Sequence, residues 1–296
     1  MNGQFRHFLA IDWSGAVGER QPGIALAWAT ADGGPPVLAD RGRGWSRMDV
    51  LDLLRNGLPP ATLVGMDLGI SLPFADAGAF FPGWDESPPD ARGLWALIDR
   101  LSGADPFLSA SSFVDHAQAS RYFRRHGGLE GAQFHLADAE HRRGRFRQTE
   151  LAQADRLGCK PTSNFNLVGA AQVGKSSLTG MRLLHRLDGA LPVWPIDPLP
   201  PPGGSALVEI YTTIAAMAGG RPPGRSKMRS VEDLNACLAT IGSPPVNGSG
   251  PLDDHSADAL ASAAWLRTAA GRAELWAPDG LTGEIGETEG WTFGVP

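Results

Sequence analysis

Two short apolar segments of this sequence each end in an aspartate that a glycine follows within three residues. The first begins at Phe8 and ends at Asp12, and the second begins at Thr62 and ends at Asp67. Short apolar runs closed by a polar residue and a glycine are typical of buried β-strands. The pattern therefore predicts two strands that each carry a carboxylate at the C-terminal end.

The rest of the pattern indicates an α/β fold with a five-stranded sheet. Apolar runs predict three further strands, at 23–28, 36–39 and 206–211, and the last contains Glu209. A turn-forming segment at 31–34 lies between the first two of these, so the first three strands form a meander. Favoured capping residues predict a helix after Ser46 and a longer one after Asp253–Ser256.

A change of character divides the 296-residue chain. From Pro73 to Gly204 the sequence is rich in proline, glycine and aromatic residues, with short predicted helices at 94–101 and 176–187. We interpret 73–204 as a large, mostly helical insertion after the fourth strand, packed separately or as one domain with the core. The core would then comprise 1–72 and 205–296.

Composition excludes several classes of protein. The formal net charge of -6 argues against a protein that coats nucleic acid non-specifically. Cys159 and Cys237 lack the close spacing of a zinc clip or redox pair, which fits a reducing compartment. The apolar run at 8–11 is too short for a signal peptide or membrane span. We expect a cytoplasmic protein with no membrane partner, and the sequence gives no oligomeric state.

The predicted acids suggest metal chemistry. Asp12, Asp67 and Glu209 lie in strands, and Asp258 lies in the late helix. Mg²⁺ and Mn²⁺ prefer oxygen ligands, and a few converging carboxylates suit two ions roughly 3.5 to 4 Å apart that catalyse phosphodiester cleavage. We therefore predict Mg²⁺ or Mn²⁺, as two ions, at these four catalytic residues.

At these residues the chain resembles the ribonuclease H-like superfamily, and within it the predicted nucleases of domain-of-unknown-function family 429. The resemblance covers most of the chain and depends on the order of four segments, namely 9–15, 65–73, 208–211 and 253–260. It implies a ribonuclease H-like sheet flanked by helices. By this resemblance Asp12 is the first-strand acid, Asp67 or Glu209 the second ligand and Asp258 the helix ligand, with Asp254 and His255 as further metal ligands.

Structural roles compete with each of these assignments. Asp12 would cap a turn, Glu209 would be harmless on an edge strand, and Asp254 is favoured as the N-cap of the late helix. Asp258 in the first helical turn would favour the helix dipole.

A phosphate-binding pattern supplies an alternative function. Gly169–Ser176 matches G-x-x-x-x-G-K-S, in which Lys175 and Ser176 would contact nucleotide phosphates and Mg²⁺. No apolar strand ending in aspartate follows it. The alternative is a nucleotide-binding NTPase or phosphotransferase; within the first hypothesis, Lys175 and Ser176 would contact substrate phosphate.

An arginine-rich segment suggests nucleic acid as the partner. Between 121 and 147 there are seven arginines against three acids, interleaved with aromatic residues that would stack on bases. The predicted substrate contacts are Arg124, Arg125, Arg142, Arg143 and Arg145. A solvated helical face is the competing interpretation, and 221–229, which includes Lys227, forms a second basic segment.

The sequence thus predicts a metal-dependent phosphodiesterase, a nuclease. A non-catalytic nucleic-acid-binding module is the third class of function that fits the same features.

Overall fold

A computed structural model describes residues 3–39, 41–135, 144–169 and 173–296. Its strands are β1 His7–Asp12, β2 Arg20–Gln21, β3 Ala25–Thr30, β4 Val37–Leu38, β5 Trp45–Ser46, β6 Thr62–Asp67, β7 Val193–Trp194 and β8 Ala206–Glu209. Its α-helices are α1 Arg47–Asp52, α2 Ala91–Leu101, α3 Ser111–Asp115, α4 Gln148–Leu157, α5 Val173–Leu187, α6 Thr212–Ala218, α7 Val231–Ile241, α8 Asp254–Ala269 and α9 Gly283–Thr288.

The main sheet is mixed and has the strand order β4-β3-β1-β6-β8-β7. An antiparallel meander contains β4, β3 and β1. The remaining pairs, β1 with β6, β6 with β8 and β8 with β7, are parallel. The predicted α/β class is confirmed, but the predicted count of five strands is wrong. The sixth strand, β7, contains only two residues between Pro192 and Pro195, too short a run to show a strand pattern. A separate two-stranded sheet pairs β2 with β5.

Helices cover both faces of the main sheet. On one face, Leu9 and Ile11 of β1 share a core with α2, α5 and the aromatic side chains of the 73–204 segment. On the other face, Phe8 and Ala10 share a core with α6, α7, α8 and the C-terminal segment. Successive residues of a strand point to opposite faces, so each strand contributes to both cores. The 73–204 segment therefore supplies much of the first core, and it also supplies β7 and, through Ala152 and Trp194, part of the second core.

Helix α8 is buried on all sides. It packs against β1 and β3 on one side and against α6 and α7 on the other. Its buried residues are mostly alanine from Ala257 to Ala264, and these small side chains let the helix lie close to the sheet. A helix that is apolar all round belongs in a core, so a charged residue on it requires a specific partner.

In the described ranges, no helix combines the length and the apolar character needed to cross a membrane.

Candidate active site

Asp12 and Asp67 lie side by side at the ends of two neighbouring strands. They are the last residues of β1 and β6, and the parallel ladder pairs them directly in register. Neighbouring strands are about 4.8 Å apart, and residues in register point to the same face. Because Ile11 and Met66 point toward α2 and α5, the two aspartates point toward α8. The predicted convergence of these two acids is present in the fold.

Glu209 points away from the two aspartates. It is in register with Met66, whose side chain lies in the core on the opposite face from Asp67. Its carboxylate accepts hydrogen bonds from Arg147 at 2.6 and 2.8 Å, from the Ile70 amide at 2.8 Å and from the Thr292 hydroxyl at 2.6 Å. The expectation that Glu209 is a metal ligand is therefore corrected: its oxygens are already engaged in a buried ion pair.

Helix α8 brings two of the predicted residues to the aspartate pair. His255 Nδ1 lies 2.8 Å from Asp12 Oδ2, and Asp258 is 4% exposed beneath the same edge of the sheet. Asp253 is the N-cap, since its side chain accepts a hydrogen bond from the Ser256 amide at 2.9 Å. The expectation that Asp254 caps α8 is wrong by one residue. Asp254 instead forms an ion pair with Arg229 at 3.5 Å.

Lys227 also belongs to the site, although no sequence motif marks it as a site residue. Its Nζ donates to Asp258 Oδ2 at 2.5 Å, across 31 residues of chain. The lysine belongs to the basic 221–229 segment, where sequence alone does not distinguish it from its neighbours. We call Asp12, Asp67, Asp258, His255 and Lys227 the aspartate cluster.

The carboxylates of the cluster interact electrostatically. Burial raises the pKa of Asp67 well above its usual 3.8, and the negative charges of Asp12 and Asp258 raise it further, although the Thr212 hydroxyl donates to it at 3.3 Å. Burial raises the pKa of Asp258 to about 6 against the lowering effect of Lys227. The hydrogen bond to Asp12 raises the pKa of His255. Like charges gathered out of water favour a cation among them.

A divalent metal fits this cluster in donor chemistry. Three carboxylates supply the hard oxygen ligands that Mg²⁺ and Mn²⁺ prefer. However, no group of three or more His, Cys, Asp or Glu side chains within the described ranges is arranged as a ready metal site. Asp258 is held by Lys227 and Asp12 by His255.

A cleft of about 240 Å³ opens beside Asp67. Trp13 and Tyr211 contribute aromatic surface to it, and Lys160 contributes a positive charge. The Arg147 ion pairs with Glu150 and Glu209 form part of its wall. The cleft therefore offers aromatic, cationic and hydrogen-bonding groups next to one acid of the cluster.

The phosphate-binding pattern has packing roles in this fold. An added Cβ at Gly174 would lie 2.3 Å from the Asn164 carbonyl oxygen, and one at Gly15 would lie 2.4 Å from the Lys175 carbonyl carbon. Both glycines therefore permit close approach of α5 to neighbouring backbone. Before α5, the described chain at 165–168 forms an isolated bridge at Asn166 and no strand, and 170–172 lie outside the described residues.

The two residues after Gly174 face different hollows. Ser176 lines the cleft beside Asp67, and its hydroxyl donates to the Val173 carbonyl at 2.8 Å. Lys175 lines a smaller hollow of about 170 Å³ that includes Gly15. Ser176 therefore lies where a substrate in the cleft would contact it, whereas Lys175 lies outside the cleft.

The arginine-rich segment is partly structural. Arg145 is 2% exposed and donates to Asp76 and to the carbonyls of Pro73, Ala79 and Phe80, so its predicted role as a surface phosphate contact is corrected. Arg124 and Arg125 form ion pairs with Glu130 and Asp115, each at 3.5 Å. Arg142 and Arg143 lie outside the described residues. The aromatic residues Tyr122, Phe123 and Phe134 are fully buried and cannot stack on bases.

Comparison of the chain with protein-family models, with curated proteins and with solved structures finds no match in any of the three.

Proposed function

We propose that this protein is a divalent-metal-dependent phosphodiesterase, a nuclease of the ribonuclease H-like type. The observation that carries the proposal is the in-register pair of Asp12 and Asp67, which faces Asp258 on a buried helix. Burying charged acids beside one another destabilises a fold, so a site that keeps three of them is a candidate for function. The mixed sheet with helices on both faces agrees with the fold that the sequence resemblance implies.

Each acidic or basic residue of the cluster would have a separate role in hydrolysis. Asp12 and Asp67 would hold the ion, and Asp258 would lie beside it in its ion pair with Lys227. A bound Mg²⁺ or Mn²⁺ supplies an activated water and stabilises charge on the phosphate. His255 is oriented by Asp12 and has a half-exposed ring, so it is placed to accept or release a proton at the rim.

The cleft beside Asp67 is the expected place for the substrate. Lys160 would contact a phosphate oxygen, and Trp13 and Tyr211 would contact a base or sugar. Aromatic surface in a cleft with a cationic side chain suits stacking on unpaired bases. We therefore expect the substrate to be nucleic acid that enters as a single strand or as an extruded nucleotide.

The test is metal binding and cleavage in matched variants. Mn²⁺ is titrated calorimetrically into wild-type protein, Asp12→Asn, Asp67→Asn and the control Asp254→Asn, and each is incubated with labelled single-stranded and branched DNA and RNA. We expect the first two variants to lose Mn²⁺ binding and cleavage with unchanged circular dichroism, and the control to retain both. Cleavage that persists in both site variants would refute the proposal.

The same experiment addresses the non-catalytic alternative. A module that only binds nucleic acid would show salt-sensitive binding without Mn²⁺ dependence and without cleavage. For the nucleotide-triphosphate alternative, no observation on the described residues gives specific support.

A further inference from the structure

Lys227 is fixed in place by its own segment of chain. The next residue, Met228, is fully buried in the core beside α8. The carbonyl of Lys227 accepts a hydrogen bond from Arg221 at 2.8 Å, and Ser230 caps α7 three residues later. The backbone is therefore anchored on both sides of the lysine, and its ammonium reaches Asp258 from a defined position.

The charge of Lys227 acts on the whole cluster. Besides contacting Asp258, the Lys227 ammonium lowers the pKa of Asp67. The negative charges of Asp12 and Asp254 in turn contribute to raising the pKa of Lys227. Its side chain is 52% exposed, whereas that of Asp258 is 4% exposed. The ammonium thus lies between the buried acid and solvent.

Charge balance distinguishes one ion from two. Asp12, Asp67 and Asp258 supply at most three negative charges, and the Lys227 ammonium already offsets one of them at Asp258. Two divalent ions together with the ammonium would leave an excess of positive charge in a buried site, which is unfavourable. The fourth acid predicted for a two-ion site, Glu209, is already ion-paired with Arg147 on the other face of the sheet.

We propose that Lys227 takes the place of a second metal ion, so that the site binds one divalent cation at Asp12 and Asp67 while the ammonium neutralises Asp258. This inference rests on the proposed function and changes its predicted stoichiometry from two ions to one. Lys227 acts here as a positioning residue through Asp258, and its charge is the property that matters.

The experiment is calorimetric titration of Mn²⁺ into wild-type protein, Lys227→Gln, Lys227→Arg and Arg229→Gln, without substrate. Arg229→Gln is the matched control, because it removes the same charge from the same segment at a side chain that is 79% exposed. We expect one Mn²⁺ per wild-type chain. Loss of a positive charge beside a divalent site should tighten binding about tenfold or more, or admit a second ion, in Lys227→Gln. Lys227→Arg and the control should resemble the wild type.

The outcomes distinguish a failure of this inference from a failure of the proposed function. Two ions in the wild type, or identical binding by Lys227→Gln and wild type, would overturn the role of Lys227 and leave the metal-dependent function standing. Absence of Mn²⁺ binding in every protein would overturn both. Thermal melting of each variant checks that it is folded, which is expected because the lysine side chain is half exposed.

Discussion

Replacing Asp258 by asparagine is expected to stabilise the protein. Burial raises the pKa of this carboxyl from 3.8 to about 6, even with Lys227 bound to it. Each unit by which a folded-state pKa of an acid is raised corresponds to about 1.4 kcal/mol of unfavourable free energy once the group is ionised. The ionised carboxylate therefore destabilises the fold by roughly 2 to 3 kcal/mol at pH 7.5. Asparagine has nearly the same shape and no charge, so this destabilisation should disappear.

The pH dependence gives the sign of the effect independently. Below about pH 4 the carboxyl is protonated in the folded and unfolded states, and Asp258→Asn should have little advantage. Between about pH 4 and pH 6 the unfolded chain releases the proton while the folded chain retains it, so wild-type stability falls relative to the variant. Above pH 6 the difference should be constant.

The assay is urea unfolding of chelator-treated protein from pH 4 to pH 8, with thermal melting as a second probe. For a chain of this size we expect a rise in Tm of about 3 to 5 °C at pH 7.5. Asp254→Asn is the control, because its carboxylate is a third exposed and paired with Arg229, and we expect a change within about 0.5 kcal/mol. A variant less stable than wild type at pH 7.5, or a difference independent of pH, would refute the reasoning.

Three further predictions concern the surroundings of the cluster. Arg147→Met leaves the buried carboxylates of Glu150 and Glu209 without their cation and should lower the free energy of unfolding by about 3 to 5 kcal/mol in urea; a loss under 1 kcal/mol would contradict the ion-pair interpretation. Gly15→Ala places a methyl group against the backbone of α5 and should lower the free energy of unfolding by about 1 to 3 kcal/mol. Unchanged stability would show that the backbone of α5 moves away from the methyl group at little cost. The pKa of His255 should exceed 6.5 by NMR and fall in Asp12→Asn; the stability from this pair is present below pH 6.5 and lost as pH rises through the raised pKa. A pKa that does not respond to Asp12→Asn would exclude the pairing.

Several features of the site were predictable from local pattern. Short apolar runs ending in an acid identify β1 and β6, although the adjacency of Asp12 and Asp67 is decided by the non-consecutive pairing of these strands in the sheet. The helix that carries His255 and Asp258 follows from its caps and its alanine-rich composition. These inferences succeed because a strand or helix of this kind is determined by residues close in sequence.

Other features depend on packing between distant segments. Whether a strand residue faces the site or the opposite core depends on its register with the neighbouring strand, and one residue of shift reverses every side chain. That register turns Glu209 toward Arg147, 62 residues away in the chain. The arginine-rich segment is visible in the sequence, but the sequence does not show which of its arginines are buried. Arg145 is buried because it donates to carbonyls more than 60 residues away in the chain.

The sequence by itself determined the α/β class, the two acid-bearing strands and the helix of Asp258. Tertiary structure alone decided which acids meet, which are neutralised and that Lys227 joins them. The physical reason is that secondary structure follows from local periodicity and capping, whereas the partner of a buried charge is set by whichever distant segment the folded chain brings within about 3 Å of it.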